Sequence, residues 1–238
     1  MKLDTLVIVA HPDDAELSCA GTIIQQIKNG RKVGIVDLTK GEMGTRGTPE
    51  IRLQEAETAA RIMGLSIREN LELADVYFQN DQPHQLRVIE KIRKYRPEMI
   101  ITNALTDRHP DHGKGAQLVK TASFMAGLKM IETHDGNEIQ EAWRPKVVYF
   151  SIQSQSLQPD LIVDVSDSWS VKMDAIRAFK SQFHDPESNE PETYISNPEF
   201  LKMIESRGKE FGHSIQAAYG EGFNVERVVG VKDLFDLI

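Results

Sequence analysis

The sequence predicts an α/β fold, a mostly parallel sheet flanked by helices on both faces in a Rossmann-like arrangement. Three observations predict it. The apolar runs at 3–10, 32–39 and 98–103 are short and nearly continuous, as strands covered on both faces are. Helical patterns stand between them, and strands that alternate with helices imply a parallel sheet. At 238 residues, 40% hydrophobic and 27% charged, the chain has the length and composition of one globular unit, and 1–238 reads as a single domain.

Each element has its own justification. Leu3 to Ala10 form the first strand, and a helix from about Ala15 to Asn29 follows, closed by Gly30 as a left-handed C-cap. "KVGIVDLT" is the second buried strand. "PEIRLQEAETAARIMG" is a helix with Pro49 in its first turn and Gly64 after its last. "NLELAD" is a short strand, "PHQLRVIEKIRKYR" a helix, "EMIITN" another buried strand and "GKGAQLVKTASFMAGL" the next helix. Later, "KVVYFSI" and "DLIVDVS" read as strands, "VKMDAIRAFKSQF" and "EFLKMIESRGKEFG" as helices, and "VERVVGV" as the last strand. Met63, Met125 and Met130 fall on apolar helix faces and are expected in the core. The polar stretch 184–199, with three prolines, reads as an exposed loop near the site or at a subunit contact.

Composition narrows the function. A formal net charge of -8 argues against non-specific binding to nucleic acid or anionic membranes. Cys19 is the only cysteine, which excludes an internal disulfide framework and a cysteine-based zinc knuckle and suggests a reducing, cytoplasmic setting. The first apolar run stops at His11, far short of a spanning helix or a signal-peptide core.

The chemistry concentrates in two clusters. "HPDD" at 11–14 follows the first strand directly, and "DRHPDH" at 107–112 follows "EMIITN" in the same relation. In open α/β sheets ligands bind beyond the carboxyl ends of the strands. If the two strands are parallel in one sheet, His11, Asp13, Asp14, His109, Asp111 and His112 emerge at one edge. Two imidazoles and a carboxylate suit a catalytic divalent metal, because three protein ligands leave a position for water. Zinc is favoured, one ion per chain, with iron(II) as the runner-up. The bland reading of each cluster alone is a turn in which proline sets the backbone and aspartate, Asp14 or Asp111, caps the next helix.

"AHPDDAEL" with a downstream "HPDH" resembles the LmbE-like, or PIG-L, zinc-dependent de-N-acetylases, which remove acetyl groups from N-acetylglucosamine conjugates. "GTRGTPEIRLQEA", "FKSQF" and "YGEGF" extend the resemblance along most of the chain. The runs "TDRHPDHGKGAQLVKTASFMAGL" and "SQFHDPESNEPETYISNPEF" look most like the bacillithiol-biosynthesis deacetylases, which act on N-acetylglucosaminyl malate.

The resemblance implies a single LmbE-like domain and roles for matching residues. His11, Asp14 and His112 would be the metal ligands and Asp13 the general base. His109 would face the oxyanion or help protonate the leaving amine. Asp107 and Asp111 would hold the imidazoles in their productive tautomer. Arg52, before Glu55, would read the carboxylates of a malyl substrate, with Arg108 and Lys40 as weaker candidates and Gln182 close to the substrate. Phe200 stands where some members carry a tyrosine, which leaves Tyr194 and Tyr219 as substitutes. A homo-oligomer, trimer or hexamer, is also implied, acting on a small-molecule conjugate.

Two readings compete. One is a non-catalytic nucleotide- or metal-binding module in which Asp37 bonds a ribose. Against it, the first turn lacks the glycine fingerprint, and "HPDD" places carboxylates where phosphates would sit. The other keeps the deacetylase and changes the substrate to chitobiose or a thiol conjugate.

Overall fold

A computed structural model describes residues 1–186 and 188–237. Its elements are β1 (Thr5–Val9), α1 (Asp14–Lys28), β2 (Val33–Thr39), α2 (Pro49–Met63), β3 (Ile67–Leu73), α3 (Gln82–Tyr95), β4 (Met99–Asn103) and α4 (Pro110–Met125). The chain continues through a two-residue hairpin, β5 (His134–Asp135) and β6 (Glu138–Ile139), to β7 (Val147–Ser151) and β8 (Leu161–Asp164). It ends with α5 (Trp169–Arg177), α6 (Pro198–Ser214) and β9 (Gly220–Asn224).

Seven strands form one sheet in the order β3-β2-β1-β4-β7-β9-β8, and β9 alone runs against its neighbours. The fold is the mostly parallel α/β sheet that the sequence predicts. β1 pairs with β2 on one side and β4 on the other, Val7 lying opposite both Ile35 and Ile101. Strand order reverses between β1 and β4, which leaves a crevice at their carboxyl ends, where open α/β sheets bind ligands.

The unbroken apolar run of β1 follows from covering both faces. Val7 and Val9 join one buried cluster with Ile23, Trp169 and Phe179, under α1, α2 and α5. Leu6 and Ile8 point the other way and join Val88, Ile92 and Leu118, under α3 and α4. Met63 is core and Met125 packs against it, but Met130 is 95% exposed, because the chain has already left α4. No helix among the described residues is long and apolar enough to cross a membrane.

Several boundaries differ from the sequence reading. β3 begins at Ile67, before the expected "NLELAD", and this edge strand carries Arg68, Glu69 and Asn70, which hid it. α4 begins at Pro110, a residue suited to a first helical position, so His112 lies in the first turn of the helix. α5 ends at Arg177, and turns complete the expected helix to Phe183.

The last strand is Gly220–Asn224, and 225–231 is irregular and largely exposed. Its glycines have the composition of a turn, yet they answer to packing. A Cβ on Gly220 would lie 2.7 Å from Ile162 Cγ2, and one on Gly222 would lie 2.9 Å from the Phe211 ring. Residue 187 of the expected 184–199 loop lies outside the described residues. The rest of that loop runs beside the site until α6 begins at Pro198.

Candidate active site

The strand ends that carry the two clusters are stapled together. Ala10 N–H donates to Asn103 Oδ1 at 2.8 Å, joining the exits of β1 and β4, and Thr39 N–H donates to Ala10 O at 3.0 Å. Beyond this point His11, Asp13 and Asp14 leave β1, while His109, Asp111 and His112 leave β4, all at the floor or margin of one crevice.

Asp14 sits between the two histidines. Its Oδ1 is 3.0 Å from His112 Nε2 and its Oδ2 is 3.4 Å from His11 Nδ1. The second nitrogen of each ring has a carboxylate of its own. His112 Nδ1 is 2.7 Å from Asp107 Oδ2, and His11 Nε2 is 3.0 Å from Asp75 Oδ1 and 3.4 Å from Asp111 Oδ2. Carboxylates at the outer nitrogens fix the tautomers, so each inner nitrogen, which carries a proton toward Asp14 in the imidazolium form, offers a lone pair to a cation that displaces that proton. Two imidazole nitrogens and one carboxylate turned inward, with outer partners in place, fit a divalent cation of the zinc or iron(II) kind. His109 also brings a ring nitrogen within 4.8 Å of His11 and His112 donors.

The electrostatics agree. Burial works against charge on His11, yet the Asp111, Asp14 and Asp75 carboxylates hold its imidazolium well above the ordinary range. Burial likewise opposes the charge on His112, but Asp14 and Asp107 raise it to about 9. Burial disfavours ionised Asp14, and His112 and His11 overcome it, keeping the carboxyl well below its usual range. Carboxylates that stabilise imidazolium in this way also stabilise a metal cation, which competes with those protons.

Asp13 is set apart from its neighbour. It is the N-cap residue of α1, in the left-handed region at φ 113°, and its side chain caps nothing. For a non-glycine residue that backbone costs ~1–3 kcal/mol. The conformation turns the carboxylate away from Asp14 and onto Arg52, whose Nη2 donates to Asp13 Oδ2 at 2.8 Å. Burial pushes the Asp13 carboxyl up to about 6, with the Arg52 guanidinium opposing the rise. A buried carboxylate of that pKa is matched to exchanging protons near neutral pH.

His109 caps α4, its Nδ1 accepting from Asp111 N–H at 3.3 Å. Nδ1 is therefore unprotonated and Nε2–H is the ring's donor. Burial, together with His11 and His112, lowers its pKa, so the ring is neutral. Asp111 is not the cap but lies in the first turn, where Val76 N–H and Lys114 Nζ each donate to it at 2.9 Å. Asp14 is likewise not a cap, since its Oδ2 accepts from His11 N–H at 3.0 Å.

These groups open onto a cavity of about 340 Å³, walled by Met43–Arg46, Arg108, Gln182, Tyr194 and Phe200 among others. The structure places the expected substrate-binding residues unequally. Arg52 is buried and already engaged, donating to Pro12 O at 3.1 Å, Gly41 O at 3.4 Å and Asp13, so its guanidinium does not stand free for an anion. Lys40 pairs with Glu72 at 3.0 Å and does not line the cavity. Gln182 lines it, with Nε2 donating to Arg46 O at 2.9 Å. Arg108 is exposed at the rim, stacked 4.1 Å from the Tyr194 ring, and has no carboxylate partner among the described residues. Tyr219 is stacked on Trp169 away from the cavity. Asp37 forms a bidentate pair with Arg68 at 2.9 and 3.1 Å, which removes it from any ribose-binding role.

Asp75 and Gln153 of the site went unread in the sequence, and Arg46, one of the cations of the glycine-rich loop after β2, has a role there that the sequence did not assign. Asp75 follows β3, Gln153 follows β7, and Arg46 donates to Ser181 O, Pro191 O and Ser188 Oγ. The first two stand just beyond strand ends, the same signal that exposed "HPDD".

A switch-point crevice, inward-facing nitrogens and a separate buried carboxylate are the parts that metal-assisted hydrolysis requires. Residues 6–123 match the family model for GlcNAc-PI de-N-acetylase, PIG-L. The chain is 29% identical over 188 residues to the diacetylchitobiose deacetylase of Thermococcus kodakarensis, covering 75% of this chain and 69% of the relative. It is 27% identical over 199 residues to a probable N-acetyl-alpha-D-glucosaminyl L-malate deacetylase 2 of Bacillus subtilis, covering 76% and 84%. A conserved protein of Thermus thermophilus superposes with a TM-score of 0.87 at 30% identity over 98% of each chain. The chain belongs to the PIG-L, or LmbE-like, de-N-acetylase family.

Proposed function

We propose that this protein is a zinc-dependent hydrolase that removes the acetyl group from an N-acetylglucosamine conjugate, N-acetylglucosaminyl L-malate being the substrate we infer. The observation that carries the reading is the convergence of His11 Nδ1, Asp14 and His112 Nε2, with Asp13 beside them on a different anchor. His11, Asp14 and His112 would hold the ion, with iron(II) as the alternative. When bound, such an ion lowers the pKa of water and polarises an amide carbonyl.

The chain's own residues supply the proton traffic. Asp13 takes a proton from the attacking water and returns it to the leaving amine, which must be protonated before the C–N bond breaks. The neutral His109, donating through Nε2–H, stabilises the charge that develops on the acetyl oxygen or steadies the departing nitrogen. Arg52 holds Asp13 in place instead of reading the substrate.

The malyl preference rests on Arg108. Its guanidinium is without a carboxylate partner among the described residues, solvent-facing and stiffened by Tyr194, which suits a carboxylate arm leaving the cavity. The sequence relatives include a diacetylchitobiose deacetylase as well as a probable malyl-conjugate deacetylase, so a neutral sugar in place of the malyl arm is the second reading.

The test is release of free amine from N-acetylglucosaminyl malate and from diacetylchitobiose, using wild type, metal-stripped, zinc-restored and Asp13→Asn proteins. The expected result is activity on the malyl conjugate that disappears on stripping, returns with zinc and is nearly lost in Asp13→Asn. Activity that persists in stripped or Asp13→Asn protein contradicts the mechanism, and faster turnover of diacetylchitobiose contradicts the substrate.

A further inference from the structure

Asp14 accepts from a group other than the histidines. Gln153, two residues beyond β7, is buried and donates its Nε2 to Asp14 Oδ1 at 2.9 Å. Chemistry decides which way round this amide lies. An ionised carboxylate only accepts, so the NH₂ end must face Asp14 and the carbonyl end must face away.

The oxygen thus turned away, Gln153 Oε1, is buried without a hydrogen-bond partner among the described residues. One arm of a nearby arginine is in the complementary state. Arg207 Nη2 donates to Ser154 O at 2.8 Å, while its Nη1 is a buried donor without a partner among the described residues. Gln153 and Arg207 line the same small cavity of about 20 Å³, with Ser18, Lys172 and Glu221 on its other walls. A water needs ~10–15 Å³ of such space and at least two polar partners. The cavity has room for one, and Gln153 and Arg207, which line it, carry one acceptor and one donor without a mate among the described residues.

We propose that Gln153 and Arg207 are a positioning pair for the metal ligand Asp14, joined by a single bound water. Arg207 donates to the water, the water donates to Gln153 Oε1, and Gln153 is thereby fixed with its NH₂ toward Asp14 Oδ1. Without the pair the amide is free to turn its oxygen to Asp14, and the repulsion rotates the carboxylate away from His112. Arg207 lies on α6, the helix that carries Phe200 into the cavity wall, so the pair also ties that wall to the ligand set. This inference rests on the metal-site reading proposed above.

The test is equilibrium binding of Zn²⁺ to metal-stripped protein in competition with a chromophoric chelator, together with visible spectra of the Co²⁺-loaded forms. Gln153→Leu is expected to weaken Zn²⁺ binding ~10–100-fold and to shift the Co²⁺ bands, as loss of an outer partner does. Arg207→Met is expected to act in the same direction by a smaller factor, and Arg207→Lys, which keeps a donor, to recover part of the loss. Affinities and spectra like the wild type in both Gln153→Leu and Arg207→Met would overturn the pair. Should Gln153→Leu fail to fold, Arg207→Met, whose side chain touches no metal ligand, decides between the two outcomes. Asp14→Ala separates the two readings: Zn²⁺ binding that survives there sinks the metal site itself, whereas loss there with an unaltered Gln153→Leu sinks only the pair.

Discussion

Two buried charged clusters contact α1, and they differ in whether their charges close. Near the middle of the helix, Glu221 accepts from Gly21 N–H at 2.9 Å, Thr22 N–H at 2.7 Å and Lys172 Nζ at 2.7 Å. Lys172 also donates to Leu17 O at 3.0 Å. One cation meets one anion, and both carboxylate oxygens are used. At the start of the same helix, Asp13, Asp14, Asp75, Asp107 and Asp111 face two fixed cations among the described residues, Arg52 and Lys114, and protonated His11 and His112 offset two of the three negative charges left over. The closed pair stabilises the fold. The open cluster lies on a cavity with more negative charge than the chain balances, which is the condition for holding a cation.

Substitutions can break this contrast from either side. The largest expected effect is at Asp13: Asp13→Asn keeps the shape, removes the base, and should lower kcat ~10²–10⁴-fold. Its metal content should match the wild type, and a mutant that loses metal along with activity would mean that Asp13 is a ligand.

Lys172→Met should do the reverse. Removing one partner of a buried pair costs ~3–5 kcal/mol, so the urea midpoint should fall sharply. The protein that remains folded should bind metal with a smaller loss than Gln153→Leu shows, since Lys172 bonds no ligand and only walls the cavity beside Gln153, and a loss as large would show that the two clusters are not independent.

The smallest effect separates two arginines. Arg108→Ala should lower kcat/KM for the malyl conjugate ~10–100-fold, the worth of a charge-assisted hydrogen bond, and leave plain N-acetylglucosamine turnover unaltered. Arg52→Ala should depress both substrates alike, because Arg52 acts through Asp13. The opposite pattern would restore Arg52 as the anion reader.

Much of this was legible in the sequence because the signal was concentrated. "HPDD" and "HPDH" place several ligand-type side chains directly after buried apolar runs, and the central strands are read easily where both faces are covered. Asp75 escaped as the last residue of an expected strand and Gln153 as one of several polar residues after another, and their partners, His11 and Asp14, lie 64 and 139 positions away. Arg52 was expected at the substrate for a related reason: sequence shows that a guanidinium is present but not that Pro12 O, Gly41 O and Asp13 already engage it. β9 was missed because "GEGFN" is as glycine-rich as a turn, and only the close approach of Phe211 and Ile162 explains its glycines. The β-branched run after it has strand propensity but no partner strand, and propensity alone does not make a sheet.

The central claim is that two segments distant in the chain close on one cation. The most direct measurement is calorimetric titration of metal-stripped protein with Zn²⁺, for the wild type, His11→Ala from the first segment and His112→Ala from the second. The account predicts one equivalent bound per wild-type chain and loss of that binding in each variant separately. Full-affinity binding in either variant would contradict it.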